Sequence, residues 1–305
     1  MTDWTRIRVE YLGERSQSIL PPGIKMPMLP RAVMRFARES EQPDANAVKL
    51  GRIIETDAGL TAELLKYVNS AAFGLQSKAV SAQHAVGMLG VKASKLFLLT
   101  TAVRNAMRST ESKLINLQSF AATNLERALF ARDVARQLRT DGELAFAAAM
   151  LQDFLLPLLT NERIDDYFEF IKRQRDTPTS FTKFETTVFG WDHAEAAANV
   201  MFDWGFPDDL VCCVLFHHRG LKLLADDRLG RTTAAAIAVA ALMPDPIEQV
   251  PDGMDQLIRL EKAWPAFDLL ETAKRVDEQF ERAGSGLSHP FSFLKRCRQS
   301  LASAC

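Results

Sequence analysis

The sequence predicts an all-α fold. Apolar residues recur every three or four positions along most of the chain, as at residues 60–68, and this is the spacing of one buried helix face. Strand-like alternation is confined to residues 7–11, where we expect a short N-terminal strand. Capping residues and prolines divide the chain into segments of helical length. Together these observations predict a two-lobed bundle of helices with a helical C-terminal tail.

Length and charge restrict the class of protein. The chain has 305 residues, of which 47% are hydrophobic and 25% charged, so it can bury the core of one large domain or two. Lysine and arginine number 37 against 38 acidic residues, which gives no general attraction to nucleic acid or to an anionic membrane. No apolar run approaches the ~18 residues of a membrane span, and Asp3 and Glu10 lie where a signal peptide would be uncharged. We therefore expect a cytoplasmic protein with no membrane partner.

The four cysteines give no sign of a metal knuckle or a disulfide framework. Cys212 and Cys213 are adjacent, Cys297 and Cys305 lie far along the chain, and no pair has the C-x-x-C spacing. Reduced thiols are the expected state in a cytosol.

Capping signals mark the helices of the first third of the chain. Asp44, Asp57 and Ser81 each precede an apolar periodic segment, and their side-chain oxygens can accept from unpaired first-turn amides. Gly90 follows the helix that Ser81 opens and permits a left-handed stop. Prolines make residues 19–30 an extended lead-in segment.

Helical periodicity continues to residue 243. The predicted helices comprise residues 31–39, the segment after Asp44, and residues 58–68, 81–89, 93–107, 116–138, 144–151, 163–175, 194–204, 207–218 and 232–243. In the long helix 116–138 we expect the charged side chains to be mostly exposed; these are Glu126, Arg127, Arg132, Asp133 and Arg136.

The C-terminal region is separated from the rest by prolines 244, 246 and 251. Residues 254–282 can form one or two helices, and the Gly-Ser-Gly at 284–286 is a flexible joint. Beyond it, apolar side chains share one side of a last segment and must either fold back or dock elsewhere. They are Phe291, Phe293, Leu294, Cys297 and Leu301.

Three stretches resemble the HDOD domain, a bacterial signalling module related to the metal-dependent HD phosphohydrolases. They are MLP at 28–30, IIETDAGLTAELLKYVNSAAFG at 53–74 and AVGMLGV at 85–91. The resemblance implies a helical HDOD-like domain over residues 25–243, with lobes at about 25–110 and 115–243. Residues 1–24 would then be a lead segment and residues 244–305 a helical extension.

The resemblance also implies that the metal centre of the HD enzymes has been lost. Those enzymes use an early His, a His-Asp pair and a later Asp to hold a divalent ion that activates water. Here the pair is Gln152-Asp153, Arg127 stands near the position of the early His, and no Asp occurs in the alanine-rich segment 234–242. An amide oxygen binds transition metals poorly, and a guanidinium repels them. We therefore expect no bound metal, no cofactor and no catalytic residue.

What remains is a candidate vestigial pocket of six residues: Arg127, Gln152, Asp153, His193, His217 and His218. Adjacent histidines on a helix point about 100° apart, so at most one of His217 and His218 would face any given site. In the structural interpretation one is a hydrogen-bonded core imidazole and the other a solvated residue at a helix end. In the functional interpretation the histidines line a ligand pocket.

Three functions remain open at this point. The first is a non-catalytic signal-transduction protein that binds a partner protein or a small signalling ligand such as a nucleotide. The second is a divergent metal-dependent phosphohydrolase acting on nucleotides. The third, a nucleic-acid-binding regulator, is disfavoured because about a dozen residues separate the helices 58–68 and 81–89, whereas a helix-turn-helix motif has a turn of about 3–4 residues.

Overall fold

A computed structural model describes residues 2–17, 19–70, 78–108, 110–174, 176–283, 286–287 and 291–303. The described part of the chain is helical and contains no strand. The helices are α1 Trp4–Leu12, α2 Arg31–Glu39, α3 Ala47–Ile54, α4 Ala58–Val68, α5 Ala82–Leu89, α6 Val91–Ala106, α7 Leu117–Gln137, α8 Gly142–Leu151, α9 Leu156–Glu162, α10 Ile164–Gln174, α11 Phe181–Phe189, α12 His193–Asp203, α13 Asp208–Leu215, α14 Leu221–Leu224, α15 Thr233–Ala240, α16 Gly253–Ala263, α17 Leu269–Ala283 and α18 Phe293–Ser303. A 3-10 turn, His217–Arg219, follows α13.

The chain divides into two compact units. The small unit comprises Met26–Ser109 and Trp204–Phe206, and therefore contains α2 to α6. The large unit comprises Met1–Lys25, Thr110–Asp203 and Pro207–Cys305, and contains α1 and α7 to α18.

Local capping explains where the helices of the small unit begin. Asp57 accepts a hydrogen bond from the amide of Leu60 at 3.0 Å, and Ser81 accepts one from the amide of His84 at 3.1 Å, as predicted. The expected cap at Asp44 is wrong: Asn46 caps α3 by accepting from the amide of Lys49 at 3.0 Å. Asp44 instead pairs with the Lys49 side chain at 3.2 Å.

Close packing in the small unit depends on Gly51 of α3. A Cβ atom built at this position would lie 2.4 Å from the Cα of Gln83 on α5, closer than real side chains approach. Leu64 and Val68 of α4 are fully buried in the same unit, as their spacing predicts. Phe73 and Gly74, at the end of the HDOD-like stretch 53–74, lie outside the described residues.

The N-terminal segment is helical, so the strand expected at residues 7–11 is wrong. Asp3 caps α1 by accepting from the amide of Arg6 at 2.9 Å, and Ile7 and Leu12 are buried. Arg8 is also buried, and its Nε donates to Asp208 Oδ1 at 2.6 Å. The alternation does not mark a strand. Polar Arg8 lies on the packed side of the helix, and apolar Tyr11 lies on its exposed side.

Helix α7 is buried on nearly every side within the large unit. Glu126, Arg127 and Asp133 are 1%, 1% and 5% exposed, which corrects the expectation that the charges of this helix are mostly outside. Each has an ionic partner from another segment of the chain. Such partners offset the free-energy cost of removing a charge from water. Alanine-rich α15 packs against α7 with every residue buried.

The C-terminal helix α18 packs onto the large unit. Phe293 and Cys297 are fully buried, and the ring of Phe293 lies 5.0 Å from that of Phe130 on α7. Residues 284 and 285 of the predicted joint lie outside the described part. Cys212, Cys213 and Cys297, the described cysteines, are free thiols.

One described stretch, Gly142–Glu162, is long and apolar enough to cross a membrane, contrary to the expectation from the sequence. However, 72% of its apolar window is buried inside the protein, which is the position of a core helix. Helices α5 and α6 pass the same test only as a pair, and they are bent by 115°.

Candidate functional site

A cluster of buried polar residues lies inside the large unit, and all six residues of the predicted pocket belong to it. Arg127 comes from α7, while Gln152 and Asp153 follow the end of α8. His193 is the first residue of α12, and His217 and His218 form the 3-10 turn after α13. Of the six, only His218 retains partial exposure.

Local sequence determines how the histidines are presented. Asp192 caps α12, because its Oδ1 accepts from the amide of Glu195 at 2.9 Å, and this places His193 at the buried helix start. Helix α13 ends before His217, so His217 and His218 do not follow α-helical geometry. Their rings lie 4.1 Å apart and both face His193, which corrects the expectation that at most one would face a site.

Arg127 and Asp153 form a buried ion pair. Arg127 Nη1 lies 2.5 Å from Asp153 Oδ2, and its Nη2 lies 3.6 Å from Asp245 Oδ2. Gln152 and Gln249 each donate to the same Oδ2 of Asp153, at 3.3 and 3.2 Å. One oxygen of Asp153 is therefore fully engaged by Arg127 and two amides.

The other oxygen of Asp153 faces the histidines. Asp153 Oδ1 lies 3.3 Å from His193 Nε2 and 3.5 Å from His217 Nε2, but it accepts no well-aligned hydrogen bond from any described residue. His193 Nε2 lies 3.3 Å from His217 Nε2 and 3.0 Å from His218 Nε2. Three imidazole nitrogens and one carboxylate oxygen thus converge, all within 4.8 Å of one another.

Hydrogen bonds at Nδ1 orient the rings of His193 and His217. His217 Nδ1 lies 2.6 Å from the carbonyl oxygen of Val214, which can only accept, so Nδ1 carries the proton. His193 Nδ1 lies 2.6 Å from Glu185 Oε2. Glu185 also accepts from the amide of His193 at 3.0 Å and from the Tyr167 hydroxyl at 2.8 Å. When His193 and His217 are neutral, their Nε2 atoms present lone pairs to Asp153.

The electrostatics of the cluster shift several pKa values. Burial opposes ionisation of Asp153, but Arg127 and contacts with His193 and His217 hold its pKa well below the ordinary range. Burial alone would lower the pKa of His193, whereas Glu185 and Asp153 raise it to about 10. Burial and the neighbouring histidines lower the pKa of His218, and burial raises that of Asp245.

Four further residues of the site carry no signal in the sequence. Glu185 and Tyr167 orient His193 from α11 and α10, whose amphipathic patterns look like those of any packed helix. Asp245 and Gln249 lie in the proline-containing segment after α15, which the sequence marks as a boundary. Asp245 is an acidic residue that faces Arg127. It lies just after the alanine-rich segment 234–242, in which the later Asp of the HD enzymes was expected.

The donor set fits a divalent transition metal. Asp153, His193, His217 and His218 each offer one ligand atom to a common point. Neutral imidazole and carboxylate are usual ligands of zinc and of similar ions. Among these four, only Asp153 belongs to the HD quartet whose loss the sequence predicts.

Residues 26–220 match the model of the HDOD domain family. The chain belongs to the HDOD domain family. The match covers all of the small unit and the part of the large unit that holds Arg127, Asp153 and the three histidines, but it stops before Asp245.

Solved structures share the fold at low sequence identity. A proposed phosphohydrolase from Shewanella amazonensis SB2B has a TM-score of 0.58 at 18% identity, with 99% of this chain and 94% of that chain covered. An HDOD domain protein of unknown function from Geobacter sulfurreducens has a TM-score of 0.57 at 18% identity, with coverage of 92% and 90%. A proposed signal transduction protein from Marinobacter aquaeolei VT8 has a TM-score of 0.55 at 17% identity, with coverage of 99% and 64%.

A curated relative, an uncharacterised protein from Treponema pallidum (strain Nichols), is 24% identical over 271 residues. The alignment covers 84% of this HDOD chain and 50% of the relative, so the chain spans about half the length of that protein.

Proposed function

We propose that this HDOD protein is a non-catalytic regulator that transmits a signal by binding a partner protein or a small signalling ligand. The observation that carries the proposal is the buried contact between Arg127 and Asp153. A hydrolytic metal centre needs an open position for water and substrate. Here a fixed cation holds one carboxylate oxygen, and packed side chains surround the pair.

The space beside Arg127 supports the same conclusion. A cavity lined by Arg127, Asp245 and Gln249, among others, has a volume of about 10 Å³. That is about the room that one water molecule needs, whereas sites for small organic ligands have volumes of roughly 300–1,000 Å³. A nucleotide would not fit there without rearrangement of the large unit.

A surface cleft of the small unit offers a better place for a small anionic ligand. Its volume is about 420 Å³, and Arg35, Lys49 and Arg52 line it above the buried Ile53. Lys49 is paired with Glu39 and Asp44. Arg35 and Arg52 make no ion pair within 4.0 Å to the described residues, so their charge is available to a phosphate group.

The competing function is a divergent metal-dependent phosphohydrolase. One observation favours it, namely that Asp153, His193, His217 and His218 can hold an ion. The proposed phosphohydrolase among the structural neighbours shares the fold but, at 18% identity, carries no further argument about activity.

Turnover distinguishes the two functions. The wild type is incubated with p-nitrophenyl phosphate, a nucleoside triphosphate and a cyclic dinucleotide, each with Mg²⁺, Mn²⁺ or Zn²⁺. We expect no hydrolysis above that of Asp153→Asn. Hydrolysis by the wild type that disappears in this variant would establish the enzyme and overturn the proposal.

Binding is tested on the cleft with the same nucleotides in labelled form. We expect Arg35→Glu/Arg52→Glu to weaken binding at least ~10-fold, because two attractive charges become repulsive. Arg231→Glu, an exposed arginine of the large unit, is the control and should bind as the wild type does. If no nucleotide binds, the proposal that this protein binds a small signalling nucleotide at the cleft is wrong. Cross-linking in the host, with a strain lacking the protein as control, then tests the partner form.

A further inference from the structure

We propose that Asp153, His193, His217 and His218 form a closed four-ligand site for a divalent transition metal, with Zn²⁺ as the best fit. The expectation of a metal-free protein rested on the HD quartet, which shares only Asp153 with this set. The inference goes beyond the proposed function, since a metal with four protein ligands organises the fold without supplying a position for substrate.

Four of the six separations between ligand atoms are close to those of a tetrahedral site. Ligands at about 2.0–2.1 Å from an ion, at tetrahedral angles, lie about 3.3 Å from one another. Asp153 Oδ1 lies 3.3 Å from His193 Nε2, which lies 3.3 Å from His217 Nε2. Asp153 Oδ1 and His217 Nε2 are 3.5 Å apart, and His218 Nε2 lies 3.0 Å from His193 Nε2. These four separations are within about 0.3 Å of the edge of a coordination tetrahedron. The two remaining pairs of ligand atoms lie within 4.8 Å.

The hydrogen bonding makes the centre electron-rich. The carbonyl of Val214 places the proton of His217 on Nδ1, and Glu185 does the same for His193. When both rings are neutral, their Nε2 lone pairs point at each other and at Asp153 Oδ1, which accepts no well-aligned hydrogen bond from the described residues. A cation between these atoms, either a metal ion or a proton, would relieve the repulsion between the lone pairs. His218 Nε2 lies 3.1 Å from Gln249 Oε1 and would exchange this contact for the metal.

The net negative charge of the groups around the cluster favours a divalent cation. Asp153, Glu185 and Asp245, when ionised, outnumber Arg127, the buried arginine of this cluster, by two negative charges. Arg127 contacts Oδ2 of Asp153 and leaves Oδ1 to the ion. Glu185 hydrogen-bonds a ligating histidine, as the outer carboxylate of many zinc sites does.

A proton is the alternative occupant. A protonated His193 could donate from Nε2 to Asp153 while Nδ1 donates to Glu185. This state would supply one positive charge instead of two. It makes no use of the lone pairs of His217, nor of His218, which is partly exposed and offers an entry route for an ion.

Metal content is the primary test. The untagged full-length protein is purified, exchanged into Zn²⁺-containing buffer, passed through a desalting column and analysed by elemental mass spectrometry. We expect about one Zn²⁺ per chain. Replacement by Co²⁺ should give the visible absorption bands of a tetrahedral ion, a signature that non-specific surface binding does not produce.

Three variants assign the site. His218→Gln is the main one, because His218 is partly exposed and its loss perturbs the core least. We expect it to weaken Zn²⁺ binding at least ~10-fold, and Glu185→Gln to weaken it ~10–100-fold through the orientation of His193. His84→Gln, at an exposed histidine of α5, is the matched control and should retain the metal.

Thermal stability gives a second measurement. A chelator should lower the melting temperature of the wild type and of His84→Gln, but change that of His218→Gln much less. A wild type that stays metal-free after exchange, and melts identically with and without chelator, would overturn the inference in favour of the proton. Equal metal binding by wild type and His218→Gln would also overturn it. Turnover by the metal-loaded protein would instead overturn the proposed function and leave this inference intact.

Discussion

Arg127 Nη1 and Asp153 Oδ2 lie 2.5 Å apart in the interior of the large unit, with 1% and 0% of the two side chains exposed. Helix α7 and the end of α8 bring them together, 26 positions apart in sequence. Both residues lie within the HDOD family match, as do the three buried or partly buried histidines beside Asp153.

Removing the arginine should strongly destabilise the large unit. Arg127→Met leaves Asp153 buried without its cation, and breaking a buried ion pair in this way costs about 3–5 kcal/mol. Arg282→Met, in the exposed pair with Glu278, is the control and should stay within about 0.5 kcal/mol of the wild type. Urea denaturation measures both. An Arg127→Met variant as stable as Arg282→Met would show that the pair does not hold the core.

Glu126 should make stability depend on pH. Burial raises the pKa of Glu126 to about 7, against the opposing effects of the Phe293 amide and Arg296. The native state thus binds this proton more tightly than the unfolded chain, for which the ordinary value is 4.5. Its contribution to stability is complete below pH 4.5 and is lost as the pH rises to about 7.

Glu126→Gln isolates this effect from the other titrating groups. The free energy of unfolding of the wild type, relative to that of the variant, should fall by up to about 3 kcal/mol between the two pKa values. Urea melts at half-unit pH steps measure the difference. A difference that stays constant across this interval would contradict the raised pKa.

The packing of α18 predicts a role for the C-terminus in stability. Phe293→Ala should cost about 3–5 kcal/mol, because its ring is fully buried against α7. Arg298→Ala, on the exposed side of the same helix, is the control and should cost less than about 0.5 kcal/mol. Truncation after Ala283 should lower the melting temperature by several degrees. Unchanged melting after truncation would show that α18 does not complete the core in solution.

In the small unit, the cap and the core of α4 should differ in their contributions. Asp57→Ala should cost about 1 kcal/mol, through loss of the hydrogen bond to the Leu60 amide. Leu64→Ala should cost about 2–5 kcal/mol, because Leu64 is fully buried. Lys66→Ala, at an exposed position of the same helix, is the control. If Leu64→Ala proved no worse than Asp57→Ala, the buried face of α4 would be wrongly assigned.

Local sequence determined most of the helices. Periodicity and capping predict α2 at its observed bounds, and α4, α5 and α7 to within about a residue, because a cap and an amphipathic face act within one helix. The same local rules failed at residues 7–11, where a buried arginine on one helix face imitates the alternation of a strand. They also failed at α7, whose buried charges have ionic partners that are distant in sequence.

The composition of the site was also set by the sequence: all six predicted pocket residues lie together in the large unit. Only the tertiary structure decided their chemistry. The 3-10 turn aims both His217 and His218 at His193, and Glu185, Asp245 and Gln249 arrive from segments that carry no motif. Ligand geometry, tautomers and charge balance depend on distances between such segments. A one-dimensional pattern does not encode those distances, because each segment obeys only its own periodicity.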